Sequence, residues 1–317
     1  MGHSCGFASD CNPPYTAADV ESSALQWDPS SKSDAAALQA RHVAAMQSCN
    51  TMEHTSSSIM SAKGNGRQHG TLDTGGWCLS TQTTKGDAFD WVSLTNQQSY
   101  FLPRPHLAAD RQIVKYLDAL LSGCNDALIQ GGHCNRRPGL LSVNDFGAGV
   151  GQYGRALLSI DERHRWTGYD GAGNVRNATG GFVKFFDLSM PLSLPRADWV
   201  LSLEVGEHVP PAHEMMYLRN LHAHACQGLV LSWAYLGKYG VGHVNTHSDR
   251  YLRSKILPLG YVLDTRATDF LRHSDRLKFN THAELQQRNV SSSWFWLRSV
   301  AVYRRITPRV GEGCTQV

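Results

Sequence analysis

Apolar positions fall into two regimes along the chain. Up to about residue 70 they are sparse among Ser, Ala, Gly and Asn, and a single block, Ala35 to Cys49, follows the candidate cap Ser33-Asp34 with the spacing of a helix. Residues 1–70 are therefore expected to be a mostly irregular leader. A tight turn is predicted at Thr74-Gly75-Gly76-Trp77-Cys78-Leu79, where paired glycines precede an aromatic. From His106 the pattern turns helical: Ile113, Leu117, Leu120 and Leu121 share one face, and Gly123 stands where a helix should end. Residues 71–135 are accordingly read as an N-terminal helical cap. From Gly139 onward strand-like runs (Leu140 to Asn144, Trp166 to Tyr169, Phe182 to Phe186, Trp199 to Leu203, Leu229 to Trp233) alternate with helical ones such as Glu214 to Cys226 and Asp249 to Leu257. Alternation of this kind predicts an α/β domain, a mostly parallel sheet covered on both faces, over residues 136–308 with a short tail at 309–317. The last runs, Tyr261 to Phe270 and Trp296 to Tyr303, are expected to form an antiparallel hairpin closing the sheet.

Composition narrows the class. With 317 residues, 41% hydrophobic and only 18% charged, the chain can bury a full core, which excludes a disordered or acidic solvating protein. Thirty Lys plus Arg against 27 Asp plus Glu leave +3, so charge gives no reason to expect nucleic acid, although 15 histidines could make the surface basic if protonated. No run approaches the roughly 20 apolar residues of a membrane span, and the first residues lack the regions of a signal peptide. A myristoyl signal at Gly2 is set aside because Gly6 stands where Ser or Thr is needed. A soluble cytoplasmic protein is the expectation. The eight cysteines contain no C-x-x-C pair and are read as reduced, mostly buried thiols; the sequons at Asn177 and Asn289 are read as chance. His222 and His224 beside Arg219, and Arg250, Arg253 and Lys255, are read as solvated helix faces, and Trp294-Phe295-Trp296 as strand packing.

The strongest local signal is Asp145-Phe146-Gly147-Ala148-Gly149-Val150-Gly151, placed after a predicted strand and before a predicted helix. Its G-x-G-x-G spacing departs from the dinucleotide fingerprint G-x-G-x-x-G, and a carboxylate ahead of the first glycine repels a pyrophosphate but attracts an ammonium group. Asp170 ends the next strand, where an acid can accept both ribose hydroxyls, and Asp187 ends the third, where it could accept an adenine amine. Each acid singly could equally be a cap or turn residue.

These residues, with the run Asp198 to Val209 (Asp-Trp-Val-Leu-Ser-Leu-Glu-Val-Gly-Glu-His-Val), resemble the class I S-adenosylmethionine-dependent methyltransferases over roughly residues 140–305. The resemblance implies a Rossmann-like seven-stranded sheet whose last strand is antiparallel. S-adenosylmethionine would lie across the strand ends, with Asp145, Phe146, Gly147, Gly149, Gly151, Asp170, Asp187, Leu188 and Glu204 around it. The Gly75 to Leu79 element resembles one found upstream of the domain in the methyltransferase-like group.

Methyl transfer from a sulfonium is an in-line displacement, which needs alignment and, for a hydroxyl acceptor, a base. His208 is the first base candidate, with His243 and Glu207 beside it; Trp77, His106 and His247 are the candidate acceptor contacts, and Asp110 a further cover. Trp77 could set its ring against the sulfonium. Glu204-x-x-Glu207-His208 with a distant His243 or His247 also resembles the metal-binding arrangement of small-RNA 2′-O-methyltransferases, but the same run occurs in metal-free O-methyltransferases, and no metal is expected. The reading taken is a methyltransferase for a small-molecule acceptor, through oxygen first, then nitrogen or sulfur. Its alternatives are a metal-assisted RNA 2′-O-methyltransferase and a non-catalytic cofactor-binding protein; a nicotinamide dehydrogenase fits the glycine spacing least.

Overall fold

A computed structural model describes residues 32–55, 72–79, 89–95, 98–103, 108–191, 193–238, 240, 242–272 and 299–315. In the leader, helix α1 spans Lys32–Thr55, a turn beyond the predicted block at its C-terminal side. A two-stranded antiparallel hairpin follows, β1 (Phe89–Thr95) with β2 (Gln98–Pro103), which the apolar pattern did not announce. Helix α2 (Arg111–Leu121) begins five residues after His106, where the helical pattern was expected to start, because the Asp110 carboxylate accepts the amides of Gln112 and Ile113; its end is as expected, with Gly123, at a φ of 74°, turning the chain out of the helix. Helix α3 (Asn125–Gln130) follows.

The main sheet contains β3 (Ser142–Phe146), β4 (Arg165–Asp170), β5 (Val183–Phe185), β6 (Ala197–Ser202), β7 (Ala225–Leu231), β8 (Tyr261–Leu263) and β9 (Ala301–Arg305) in the order β5-β4-β3-β6-β7-β9-β8. All neighbours are parallel except β9, which is antiparallel to both β7 and β8. The expected seven strands and antiparallel last strand are therefore present. Helices α4 (Gln152–Ile160), α5 (Val175–Ala178), α6 (Glu214–His224), α7 (Asp249–Ile256) and α8 (Thr265–Arg272) complete the domain.

Strands β3 and β6 are buried throughout, as strands covered on both faces must be. Alternate residues feed two cores. Phe146 and Val200 meet Tyr217, Leu221, Tyr251 and Ile256 of α6 and α7; Val143, Trp199 and Leu201 meet Ile113, Leu117 and Leu121 of α2, Leu157 of α4 and Leu271 of α8. The apolar face of α2 thus packs into the second core.

Several sequence expectations are corrected. The predicted strand Tyr261 to Phe270 is only three residues long, because Asp264 caps a helix, accepting the Ala267 amide, and Ala267 and Leu271 then turn inward four residues apart. His222 and His224 are buried, not solvated: the Arg305 and Arg309 guanidiniums reach the His222 ring and the carbonyls that end α6. Burial and those guanidiniums push the His222 imidazole down to about 3. Lys255 is buried as well, its ammonium 4.8 Å from the Tyr251 ring centre. The reduced-thiol reading also fails. Disulfides join Cys49 to Cys78, Cys124 to Cys134 and Cys226 to Cys314, with Cα separations of 5.3, 5.7 and 5.5 Å; the second closes a local loop of sequence separation 10, whereas the other two, at 29 and 88, join segments that only the fold brings together. Among the described residues no helix is long and apolar enough to cross a membrane.

Candidate active site

The chain runs outward from β3 to β4 and β5, then returns past β3 to start β6, so the order reverses between β3 and β6. In an open α/β sheet a crevice for ligand opens at that reversal, beyond the carboxyl ends of the strands. Two loops border it. The first, residues 147–151, takes left-handed backbone at Gly147 (φ 80°), Gly149 (φ 56°) and Gly151 (φ 83°), which the glycines make inexpensive. A β-carbon on Gly147 would collide with the Val205 side chain, so this loop lies directly against the second, residues 203–209. At Gly149 the only neighbour of such a β-carbon among the described residues would be the Gln152 amide, leaving room on that side.

Asp170 holds the glycine loop from below. Its two carboxylate oxygens accept the amides of Gly149 and Ala172, each at 2.8 Å, and burial still pushes its carboxyl up to about 6. Asp145 is 3% exposed, and its carboxylate accepts the Trp166 indole N–H at 3.1 Å; burial pushes it up to about 7 against that hydrogen bond. Asp187 accepts the Ser189 amide and hydroxyl on one oxygen and faces Arg41 of α1 across 3.3 Å on the other. A carboxylate oxygen has two lone pairs, so these partners leave acceptor capacity. The Phe146 ring is fully buried among Tyr169 and His224, with its carbonyl taking the Ser202 hydroxyl, and Leu188 is core.

The second loop carries the candidate acid–base groups Glu204, Glu207 and His208. Glu204 has a φ of 55°, the single non-glycine in the left-handed region among the described residues. Such a conformation costs on the order of 1–3 kcal/mol and concentrates at functional positions. It is held by Ser232 at the end of β7, whose hydroxyl donates to the Glu204 carboxylate and accepts its amide, both at 2.9 Å, and by Ser299 at 3.4 Å. Glu207 is fully buried; Glu204 and the Ala234 amide approach it, yet among the described residues neither of its carboxylate oxygens has a hydrogen-bond partner of proper geometry. Burial first, and the neighbouring Glu204 second, drive its carboxyl well above the usual range.

His208 lies in a turn, with Nδ1 3.2 Å from the Gly242 carbonyl; His243 sets Nδ1 3.0 Å from the Lys238 carbonyl. A carbonyl can only accept, so each ring carries its proton on Nδ1 and presents the Nε2 lone pair. The two rings are 5.0 Å apart, edge to face, and His243 Nε2 is 4.0 Å from Glu207. Burial lowers the His243 imidazole, keeping it neutral. Ligand-capable atoms of Glu207, His208 and His243 all fall within 4.8 Å of one another.

His247, which the sequence places with this group, goes elsewhere. Its Nε2 is 2.8 Å from Glu214, its ring stacks on Tyr251 at 3.7 Å, and Asn245 and Tyr251 bind the same Glu214 carboxylate. Burial opposes ionisation of Glu214, but those hydrogen bonds hold its carboxyl below the usual value. This network braces the loop, whose Val244 and Asn245 amides bind the Glu207 carbonyl. Trp77 is half-buried in the strap 72–79, next to Gly75, which lies against His208 of the second loop, and Gly76, which lies against Gly171 after β4. Asp110 caps α2, and His106 and Trp294-Phe295-Trp296 lie outside the described residues. Sequence reading missed the part played by Ser232, a polar residue at a strand's end, and, although it predicted helix α1, the place of that helix, whose low amphipathicity gave no hint of what it covers.

The strand order, with one antiparallel strand inserted before the edge, is the fold of the class I methyltransferases. No family model and no curated protein matches this chain. Among solved structures it is similar to magnesium protoporphyrin IX methyltransferase from Synechocystis PCC 6803 with bound SAH, at 21% identity over 48% of this chain and 73% of that one, TM-score 0.34. It is also similar to the 1,6-didemethyltoxoflavin-N1-methyltransferase of Burkholderia thailandensis (19% identity, 49% and 69%, TM-score 0.33). A third is an O-methyltransferase from neocarzinostatin biosynthesis (17%, 50% and 54%, TM-score 0.32). At such values the likeness says nothing of this chain's substrate.

Proposed function

We propose that the protein is an S-adenosylmethionine-dependent methyltransferase for a small-molecule acceptor, with oxygen the preferred acceptor atom. One observation carries the reading: at the sheet's reversal point a glycine turn with room at Gly149 stands directly against a loop bearing Glu207 and His208, with neutral His243 beside them. The residues fit the cofactor. Backbone at Gly147 to Gly151 admits close approach, Asp145 suits the ammonium of its amino-acid end, and Asp170 the ribose hydroxyls. When bound, the cofactor supplies an electrophilic sulfonium methyl. His208 Nε2 takes the acceptor proton, and Glu207 and His243 hold the polarity around it. Loops 147–151 and 203–209 orient donor and acceptor, which is the larger part of catalysis for an in-line displacement. Purified protein incubated with methyl-labelled donor and fractionated metabolites should transfer label to one fraction. Binding of S-adenosylhomocysteine with no labelled product from any extract would instead support a non-catalytic cofactor-binding protein.

A second reading rests on the Glu207, His208 and His243 atoms grouped within 4.8 Å and on the unpartnered Glu207 carboxylate. Both imidazoles donate Nδ1–H to backbone carbonyls, the outer-shell arrangement that orients histidine ligands. The group would suit Mg²⁺, Mn²⁺ or Zn²⁺ activating a ribose hydroxyl. Activity abolished by chelation and restored by a divalent ion, together with a salt-sensitive RNA complex, supports this reading; activity indifferent to chelation supports the base.

We also propose an oxidising compartment. The cytoplasmic expectation rested on the lack of a membrane run and of signal-peptide regions; the three disulfides among the described residues favour an oxidising compartment instead.

A further inference from the structure

The carboxyl ends of β4, β5 and β6, where the proposed cofactor would lie, are not open to solvent on the leader's side. Two segments lie on them, helix α1 of the leader and the strap 72–79 that follows it. Residues 72–79 form a strap across the mouth: a β-carbon on Gly76 would collide with the Gly171 carbonyl after β4, and one on Gly75 with the His208 carbonyl after β6. The strap is clasped at its end, where Asn174 accepts the Leu79 amide at 3.0 Å and donates to the Leu79 carbonyl at 2.7 Å. Helix α1 covers the β5 side. The His42 ring stacks on Phe185 at 4.4 Å and 9°, Arg41 meets Asp187, and Ala45 backbone sits against Gly173 so closely that no β-carbon fits. The two segments are joined by the disulfide Cys49–Cys78, its sulfurs in residues 0% and 5% exposed. Neither segment belongs to the sheet or its flanking helices. Yet every contact named here falls on the loop after β4, the end of β5, or the loop after β6.

We propose that α1 and the strap 72–79 together are the outer wall of the cofactor crevice, with Arg41 and His42 as positioning residues at its adenine end, and that the Cys49–Cys78 bond latches the wall shut over bound ligand. This rests on the methyltransferase reading for the ligand's identity but not for the latch. Arg41 acts through Asp187 and His42 through Phe185, so neither needs to touch the ligand. A dithiol reductant opens the latch by thiolate attack: the S–S bond breaks, two thiols form here, and the reductant leaves as its own disulfide. The buried sulfurs make that attack slow while the wall is closed.

The test uses the full chain with its disulfides formed, and S-adenosylhomocysteine as probe. In Cys49→Ser/Cys78→Ser, and separately in Arg41→Ala/His42→Ala with the latch intact, affinity should fall at least roughly tenfold, chiefly through faster dissociation, as expected when a preorganised wall is lost. The remote pair Cys226→Ser/Cys314→Ser should bind within about twofold of the unmodified protein. Hydrogen exchange without ligand gives an independent reading: breaking the latch should speed exchange at residues 171–174 and 205–209 while β3 and β6 stay protected. Unchanged dissociation and unchanged exchange in the latch variant overturn the proposal. Absence of S-adenosylhomocysteine binding by the unmodified protein would instead overturn the methyltransferase reading, and exchange would still decide the latch.

Discussion

His208 and His243 show how backbone decides side-chain chemistry. Each ring donates Nδ1–H to a loop carbonyl, which leaves Nε2 as the basic atom of both. His208→Ala should therefore lower kcat roughly a hundredfold or more, while S-adenosylhomocysteine affinity measured by calorimetry stays within a few fold. Asp145 makes a different prediction. Its carboxyl, at about 7 in the free protein, is neutral for much of the range where an ordinary aspartate is charged. An acid raised on folding contributes stability that is complete below its unfolded value and lost as pH climbs through the folded one. Asp145→Asn should thus gain stability relative to the unmodified protein between about pH 4 and 7, followed by denaturant melts. If Asp145 meets a cationic ligand end, affinity should also weaken as pH falls below about 7, and this slope should vanish in the variant. The acid was legible in sequence from its place before the glycines. Its indole partner was not, because Trp166 lies on another strand.

At the scale of elements, the glycine turn works because β3 delivers it against the loop after β6. Gly149→Val forces a β-branched residue to a φ of 56° in the space left for ligand, and should abolish S-adenosylhomocysteine binding with β3 and α4 intact by hydrogen exchange. Unchanged affinity would mean that the turn does not hold the ligand. Helix α2 was legible in its apolar face and its end, where a period of three to four and a terminal glycine agree, but not in its start, which the Asp110 cap sets at Arg111 and not at His106. Strand β8 was not: Tyr261 to Phe270 is apolar enough for a long strand, and the Asp264 cap divides it. Similarly, α6 reads as half solvated from its histidines. The arginines that meet His222 come from the last residue of β9 and from just beyond it, some eighty residues on.

For the whole molecule, the covalent ties matter as much as the sheet. Cys226–Cys314 closes a separation of 88 residues and binds the tail beneath β7, where Thr315 also meets the buried Asp198 carboxylate. Replacing both cysteines by serine should cost on the order of 2–5 kcal/mol in denaturant melts, without loss of the strand order. Asp198, part of the run that carried the family resemblance, lies at the opposite end of β6 from the crevice. It accepts the Ser142 amide and hydroxyl and the Gln227 amide, so its role is to join β3, β7 and the tail.

Alternation of apolar and polar residues, the glycine spacing and the strand-end acids by themselves determined an α/β sheet and the end of it that faces ligand, because strand and helix periods and left-handed turns are local properties of the chain. Tertiary structure alone decided which histidine joins His208, which cysteines pair, and that α1 and the strap cross the crevice. Each of these depends on residues brought together from distant segments by burial, and no local spacing encodes such a meeting.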